Sequence, residues 1–372
     1  MNFALIIALI SVVIAALVCV YELTRFILRR SKDGRTHAPY ELDRHGGNPV
    51  LSPLAYREWE AQGAFNPAAV MDDESNVHLL YRAIGSDGLS RIGHAMSKGG
   101  VYFSERSPYP VFVPAPGAGM PDARDALHPV YDPLMNVSGG GWGGAEDPRA
   151  VRIGDRVYMT YTAFEGWHNM RIGLTSISLA DLKKRRWNWR RPVLISPKKA
   201  RSKNWVIFPE KIGGKFAILH SLAPEVLIAY VDDLNMAPII ESSPDHYGYG
   251  HQVKQRKGYW DETMKGAGTP PIRTDKGWLI LYHAVHSGKY HVGAMLLDLN
   301  DPTKILYRSP QPVLSPDMPY ENEGKCGVVY ATGAIVKNGQ LMVYYGSGDK
   351  HSCVAQTPLT PLLDWLVKYG KV

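Results

Sequence analysis

The chain has 372 residues, a formal net charge of +7 and 45% hydrophobic residues. Three cysteines are too few for a disulfide framework, and the length allows a large core, built as two domains or as one repeat domain. Part of the basic excess sits in one cluster near the N-terminus, so the charge does not by itself call for a nucleic-acid partner, and none is expected.

Residues 3–20, FALIIALISVVIAALVCV, carry no charge and one hydroxyl, Ser11. As a helix rising 1.5 Å per residue they cover roughly 27 Å, close to the hydrocarbon thickness of a bilayer. The apolar character continues through Phe26, Ile27 and Leu28, and Arg25 can snorkel to the headgroups. A cleaved signal peptide competes, but it wants a basic start and a small-residue cleavage site. Here Met1 and Asn2 carry no side-chain charge, and the exit, YELTRFILRR, is bulky and basic. Residues 1–30 are therefore expected to be a transmembrane helix that anchors the chain in a membrane. Arg25, Arg29, Arg30, Lys32 and Arg35 flank its C-terminal end, which places the following domain in the cytoplasm. Cys19 falls in this segment, while Cys326 and Cys353 read as reduced core thiols. Residues 31–47 read as a juxtamembrane linker and 48–372 as the folded domain. The basic run KKRRWNWRR at 183–191 can touch anionic lipid or nucleic acid, and reads more simply as a solvated hairpin tip.

Beyond the linker one pattern recurs five times: a short polar or proline-containing entry with a first strand, a second strand rich in Tyr, Leu and Met, and an alternating third. The second strands VHLLYRA (77–83), VYMTYTA (157–163), KFAILHS (215–221), WLILYHA (278–284) and QLMVYYGS (340–347) align without gaps. Units of three or four antiparallel strands cannot bury both faces alone, but repeated around an axis they cover one another. The predicted fold is all-β, a five-bladed β-propeller. A linear solenoid is disfavoured because no hexapeptide or nonapeptide period is present. The best helix candidate after the anchor is LTPLLDWLVKYG at the C-terminal end.

The first strand of each propeller blade lines the central channel, so the repeat entries Asn66, Asp147, Glu210, Thr269 and Thr332 are expected to converge. Asp147 is the sharpest of them, set in GGGWGGAEDPRA, where glycines let backbone approach a ligand. It can equally cap a turn, as Asp-Pro often does. Arg82, His220 and His283 end second strands, Arg91 and Arg171 begin third strands, and Lys203 and Lys211 flank the third entry. Converging in one channel they would form an anion site; singly they read as ion pairs. Trp142, Trp167, Trp205 and Trp260 lie in loops, where a ring can stack on a sugar or plug a loop. No zinc spacing, P-loop, dinucleotide fingerprint or nucleophile elbow is present, so neither a metal nor an organic cofactor is expected.

FNPAAV, SRIG, EDPRAV, NWVIFPEKIGGKFAILH, GAGTPPI, LLDLNDPTKILYRS and VVYATGAIV followed by YYGSGD occur in this order over residues 48–357. In them the chain resembles glycoside hydrolase family 130, the β-mannoside phosphorylases and related β-mannosidases. The resemblance implies a five-bladed propeller and an inverting reaction. Asp147 would be the general acid, passing its proton through a mannose hydroxyl to the glycosidic oxygen. Inorganic phosphate, the co-substrate, would attack the anomeric carbon of a β-mannoside oligosaccharide and give α-mannose 1-phosphate. It further implies Asn66, Arg82 and Asp349 for the sugar, and Arg171, Lys211 and His283 for phosphate; Glu210, as a converging entry, is also expected to bind the substrate. One departure is Ser221, which stands where many phosphorylases have an arginine. That opens a second reading, an inverting β-mannosidase with Glu225, Glu262, Glu321 or Glu323 as base. A third is an inactive glycan-binding propeller.

Overall fold

The computed structural model describes residues 40–122, 124, 128–198, 201–223, 225–236, 239–240, 256 and 258–372. Their strands form five antiparallel blades, one for each sequence repeat. The first contains Gly63–Met71, Val77–Ile84, Leu89–Ser97 and Glu105–Arg106, and the second Gly143–Ile153, Arg156–Phe164, Met170–Ser178 and Val193–Leu194. A short parallel pairing of Leu89 and Ser90 with Gly143 and Gly144 joins these two blades edge to edge. The third contains Val206–Ile207, Phe216–Ser221 and Leu227–Val231. Thr263–Ala267, Ile272–Thr274, Gly277–His286, Lys289–Leu297 and Ile305–Arg308 make the fourth. The fifth joins Val329–Lys337, Gln340–Ser347 and His351–Pro358 to Asp43–Arg44, which pairs with His351–Pro358 as the outermost strand. The last blade is thus completed by the start of the described chain, which closes the ring. Residues 40–47, expected in a linker, belong to the propeller.

The repeated sequence motif has a structural cause. Tyr81, Tyr161 and Tyr282 of the second strands lie directly opposite Gly93, Gly173 and Gly293 of the third. A β-carbon on any of these glycines would sit within 2.4 Å of the tyrosine ring, so the ring fills the space a side chain would take. In three blades a second-strand tyrosine hydroxyl, which in the fifth blade is that of Tyr345 opposite Cys353, meets a buried acid held by an arginine from the outermost strand. Tyr81 donates to Glu60 at 2.7 Å beside Arg106, Tyr282 to Asp261 at 2.5 Å beside Arg308, and Tyr345 to Glu321 at 2.8 Å beside Arg44. Each cluster ties the second strand of a blade to its rim with every charge paired, which is what burial demands.

The expectation of a membrane-spanning helix is corrected by the structure. Among the described residues no helix is long and apolar enough to cross a membrane; the longest, Leu359–Tyr369, has 11 residues where about 20 are needed. Residues 1–30, on which the expectation rested, lie outside the described residues. The anchor, and the cytoplasmic placement drawn from its flanking charges, therefore find no support in the fold.

Two smaller expectations also change. The run at 183–191 is a strap from the second blade to the first, not a free tip. Lys183 pairs with Asp73 at 2.8 Å, the Trp187 ring lies tilted against His94 at 4.9 Å, and Trp189 Nε1 donates to the Val111 carbonyl at 2.8 Å. Cys353 is buried but Cys326 is exposed, and both are free thiols.

Candidate active site

Bulges in the innermost strands decide which side chains reach the axis. Pairing with the second strand shifts register between Phe65 and Ala68, between Glu146 and Arg149, and between Ala331 and Gly333. A bulge re-aims the residue it expels. Asn66 and Asp147 sit in the first two with φ of 49° and 47°, the left-handed region that Asn and Asp tolerate better than other side chains. Asn204 (φ 65°) and Asp349 (φ 52°) share this conformation, and all four line one cavity of about 330 Å³. Strained backbone gathered at one cavity is a mark of a functional site.

At the floor is a network of buried charge. Asn66 Nδ2 donates to Asp147 Oδ1 at 2.8 Å, and Arg82 reaches the same oxygen at 3.2 Å. Arg82 also donates to Glu146 at 2.9 Å, to the Ser138 carbonyl at 2.8 Å and to Ser90 Oγ at 3.0 Å. Glu146, fully buried below the cavity, accepts from Lys203 at 3.0 Å. Arg149 donates to the Asp147 carbonyl at 2.7 Å and to Asn204 Oδ1 at 2.8 Å, an oxygen that also takes the Tyr330 hydroxyl at 2.8 Å. Burial pushes Asp147 toward protonation, but Arg82, Lys203, Arg149 and the Asn66 hydrogen bond outweigh it and hold the carboxyl well below the usual carboxylate range.

The walls are cationic. Arg201, Lys203, Lys265 and Lys325 line the cavity with Asp147 and Asp349. Lys325 pairs with Asp349 at 3.3 Å and Lys203 with Glu146, whereas Arg201 and Lys265 have no ion-pair partner among the described residues. Val137, Ser138 and Gly139 from the loop between the first two blades form one edge, and Trp167 forms another.

Asn66, Arg82, Asp147 and Asp349 are thus brought together, with Lys203. Glu210 and Lys211 are not. The third innermost strand is Val206–Ile207, and the residue entering it from the cavity is Asn204; FPEK lies at the far end, in the turn toward Phe216. There Glu210 is exposed and pairs with Arg273 at 3.3 Å, and Lys211 lies over the Phe216 ring at 4.6 Å. Arg171 turns away, donating to the Ser196 carbonyl at 2.6 and 2.9 Å. Thr269 and Thr332 are buried and outside the lining, Arg91 pairs with Asp87, and His220 lies against Trp205. Arg201, Lys265, Lys325, Asn204 and Tyr330 escaped the sequence reading. The one signal available for Asn204 was an Asn ahead of an apolar run, as at Asn66.

His283 is fully buried, stacked on Tyr330 at 3.8 Å, and its Nε2 donates to the Ala331 carbonyl at 2.8 Å. Burial first, then Arg149, push it down to about 3. It is a neutral prop behind Tyr330 and not a charge in the cavity. An unfolded chain protonates this histidine near 6.5, and the folded chain only near 3. Stability is therefore lost as pH falls through that window, by about 1.4 kcal/mol per pH unit from this group. His283→Gln is expected to have the shallower slope in urea unfolding between pH 6.5 and 4.5; equal slopes would remove the assignment.

Gly346 supports Asn66 from the fifth blade. A β-carbon there would lie 1.7 Å from Asn66 Oδ1. The added carbon also comes within 2.8 Å of the Asn66 backbone nitrogen, so Gly346→Ala is expected to displace Asn66 from Asp147, lower kcat/KM by about 10²-fold and lower the melting temperature, checked by steady-state rates and thermal melts. Unchanged rates would show that Asn66 does not position the acid.

A propeller cavity that gathers buried carboxylates, amides and cations is the kind of pocket in which an enzyme site is sought. The comparisons give the class its name. The profile of glycoside hydrolase family 130, described as β-1,4-mannooligosaccharide phosphorylase, matches residues 43–368. A 1,2-β-oligomannan phosphorylase from Thermoanaerobacter sp. (strain X514) is 36% identical over 321 residues, which cover 83% of this chain and 94% of the relative. A β-1,2-mannobiose phosphorylase from the same organism is 33% identical, over 85% of this chain and 97% of that one. The solved structure of a β-1,2-mannobiose phosphorylase from Listeria innocua, in complex with β-1,2-mannobiose, shares the fold with a TM-score of 0.65 at 24% identity, covering 87% of this chain and 99% of that one. The chain belongs to glycoside hydrolase family 130, and so to enzymes acting on glycosidic bonds.

Proposed function

We propose that the enzyme phosphorolyses β-linked manno-oligosaccharides, with β-1,2 linkages preferred, and releases α-mannose 1-phosphate with inversion. One observation carries this reading: Arg201 and Lys265, free of ion pairs among the described residues, line the same cavity as Asp147. An anionic nucleophile needs such a wall, and activation of water does not. The β-1,2 preference rests on the relatives at 36% and 33% identity.

Asn66 and Asp349 hold the terminal mannose over the floor. Phosphate sits against Arg201 and Lys265 and attacks the anomeric carbon from the face opposite the glycosidic oxygen. The new C–O bond to phosphate forms as the glycosidic C–O bond breaks. The departing oxygen takes a proton that Asp147 supplies through a mannose hydroxyl, and Asp147 is left as a carboxylate. In the free cavity the surrounding cations keep Asp147 ionised. Phosphate cancels much of that field, raises the proton affinity of the carboxyl, and as the monoanion brings a proton with it.

None of Glu225, Glu262, Glu321 and Glu323 lines the cavity; Glu321 is locked by Arg44 and Tyr345, and Glu323 pairs with Lys350. Ser221 closes a local turn, its Oγ donating to the Ala223 carbonyl at 2.8 Å, and does not line the cavity either. The proposed cationic wall does not depend on position 221.

The test incubates the protein with β-1,2- and β-1,4-mannobiose, with and without inorganic phosphate. Mannose 1-phosphate formed only with phosphate, and faster from the β-1,2 substrate, is the expected result. Free mannose at equal rates in both conditions overturns the reading in favour of hydrolysis, and no turnover of either sugar overturns it in favour of a binding propeller.

A further inference from the structure

We infer that Trp167 is the platform on which the leaving sugar, the one joined to the reacting mannose, is stacked, so that this residue sets the affinity for the acceptor and for longer chains. The inference rests on the phosphorylase reading and deepens it.

Of the four loop tryptophans singled out in the sequence, Trp205 is buried against His220, and Trp142 is buried with its Nε1 donating to the Asp87 carbonyl at 2.7 Å. Trp260 stacks on Tyr282 at 5.8 Å. Trp167 alone among the four lines the cavity, and it is 39% exposed. An indole left partly bare at the mouth of a cavity is an apolar face waiting for an apolar face, and the C–H side of a pyranose offers one.

The mount is rigid. Trp167 sits at the tip of the turn between Arg156–Phe164 and Met170–Ser178. The turn is closed by the Glu165 amide donating to the Asn169 carbonyl and the Asn169 amide to the Gly166 carbonyl, each at 3.1 Å. The Glu165 carboxylate takes Asn169 Nδ2 at 2.6 Å and the Gly119 amide at 3.0 Å, which ties the turn to the neighbouring loop. The ring packs edge-on against Phe164 at 5.6 Å, with the Lys203 ammonium 5.7 Å from its centroid. A preorganised aromatic loses little entropy when a ligand stacks on it.

The chemistry of the walls assigns the place. The reacting mannose occupies the floor beside Asn66, Asp147 and Asp349, so the next sugar must lie toward the mouth. Arg201 and Lys265, without ion-pair partners among the described residues, give one part of the cavity a charged surface that suits phosphate. Trp167 and Val137, 39% and 55% exposed, give the part built by the second blade and its preceding loop an apolar surface that suits an uncharged sugar. Leu134 and Met135, at 87% and 66% exposure, precede Val137 in the same loop and extend the apolar character outward, where a third sugar would run.

The test runs the reaction in the synthetic direction, from α-mannose 1-phosphate and a β-1,2-mannobiose acceptor, and follows phosphate release. Trp167→Ala is expected to raise the acceptor KM about tenfold, with the KM for α-mannose 1-phosphate changed by less than about twofold, and Trp167→Phe to recover most of the loss. An unchanged acceptor KM, or equal rises in both, overturns the inference. If the wild-type enzyme shows no phosphate-dependent turnover, the phosphorylase reading fails by itself. The role of Trp167 is then decided by titrating β-1,2-mannotriose into Asp147→Asn with and without Trp167→Ala. A loss of about tenfold sustains it and equal affinity overturns it.

Discussion

Asp147→Asn is expected to lower kcat for β-1,2-mannobiose by about 10²–10⁴-fold, the usual span for removal of a general acid. The amide oxygen can still accept from Asn66, and Arg82 keeps Glu146, Ser90 and the Ser138 carbonyl, so the floor should hold its shape. On the proposed mechanism, what is lost is the transferable proton. A nitrophenyl β-mannoside, whose leaving group needs little protonation, should therefore recover roughly tenfold or more of the deficit. Equal losses on the sugar and on the activated substrate would mean that Asp147 only positions the ligand. The pH profile gives an independent reading. On the proposed mechanism the active carboxyl is the protonated one, and bound phosphate offsets the cations that depress it. The alkaline limb of kcat should thus lie at higher pH than that of kcat/KM at low phosphate.

The five-blade architecture was legible because the second strand of each blade is covered on both sides. VHLLYRAI and GWLILYHAVH are nearly continuous apolar runs for that reason, and in three of the five blades a tyrosine opposite a third-strand glycine marks the motif. The innermost strands were less legible. Their bulges break alternation at the residues that matter, and in the third blade the motif with the more familiar look, FPEK, occupies the wrong end of the strand. A short polar turn at either end of a two-residue strand looks the same in sequence; only pairing distinguishes them. The left-handed Asn and Asp residues were visible as an Asn-Pro and an Asp-Pro step at 66 and 147, but Asn204 precedes Trp205 and Asp349 lies in a Gly-Asp-Lys turn.

Arg201, Lys265 and Lys325 were hidden for a related reason. A lone basic residue in a loop has no period to betray its direction, and the closure of the ring alone makes residues more than a hundred positions apart line one cavity. Arg171 and Lys211 show the converse. Both stood at suitable places in the repeat, yet one is turned onto a carbonyl and the other onto a phenyl ring.

Arg82→Ala is expected to cost about 3–5 kcal/mol and to lower the melting temperature by on the order of 10 °C, the largest stability effect the site should show. Arg82 is 2% exposed and donates to two carboxylates, a hydroxyl and a carbonyl, and its guanidinium lies over Phe65 at 4.9 Å. Its removal leaves Glu146 to Lys203 and Ser138, and Asp147 to Asn66, in a region too buried for solvent to replace the lost charge. Because the pair is buried, the loss should hardly change between low and high salt. It should change with pH, and the sign is fixed by Asp147. Its folded carboxyl lies well below the ordinary value, so the stability it contributes is present above the unfolded value near 3.9 and is lost as pH falls below it. Arg82 is first among the groups that hold it down, so in Arg82→Ala the folded carboxyl rises toward the ordinary value and this acid loss shrinks. The gap between wild type and variant should therefore narrow from pH 5 to pH 3 in urea unfolding. Arg82→Met combined with Glu146→Gln should cost less than the two single changes added together, since the double change removes both members of the Arg82–Glu146 pair at once. Strict additivity in that cycle, or a gap that widens in acid, would show that the ion pair is not what holds the floor of the cavity.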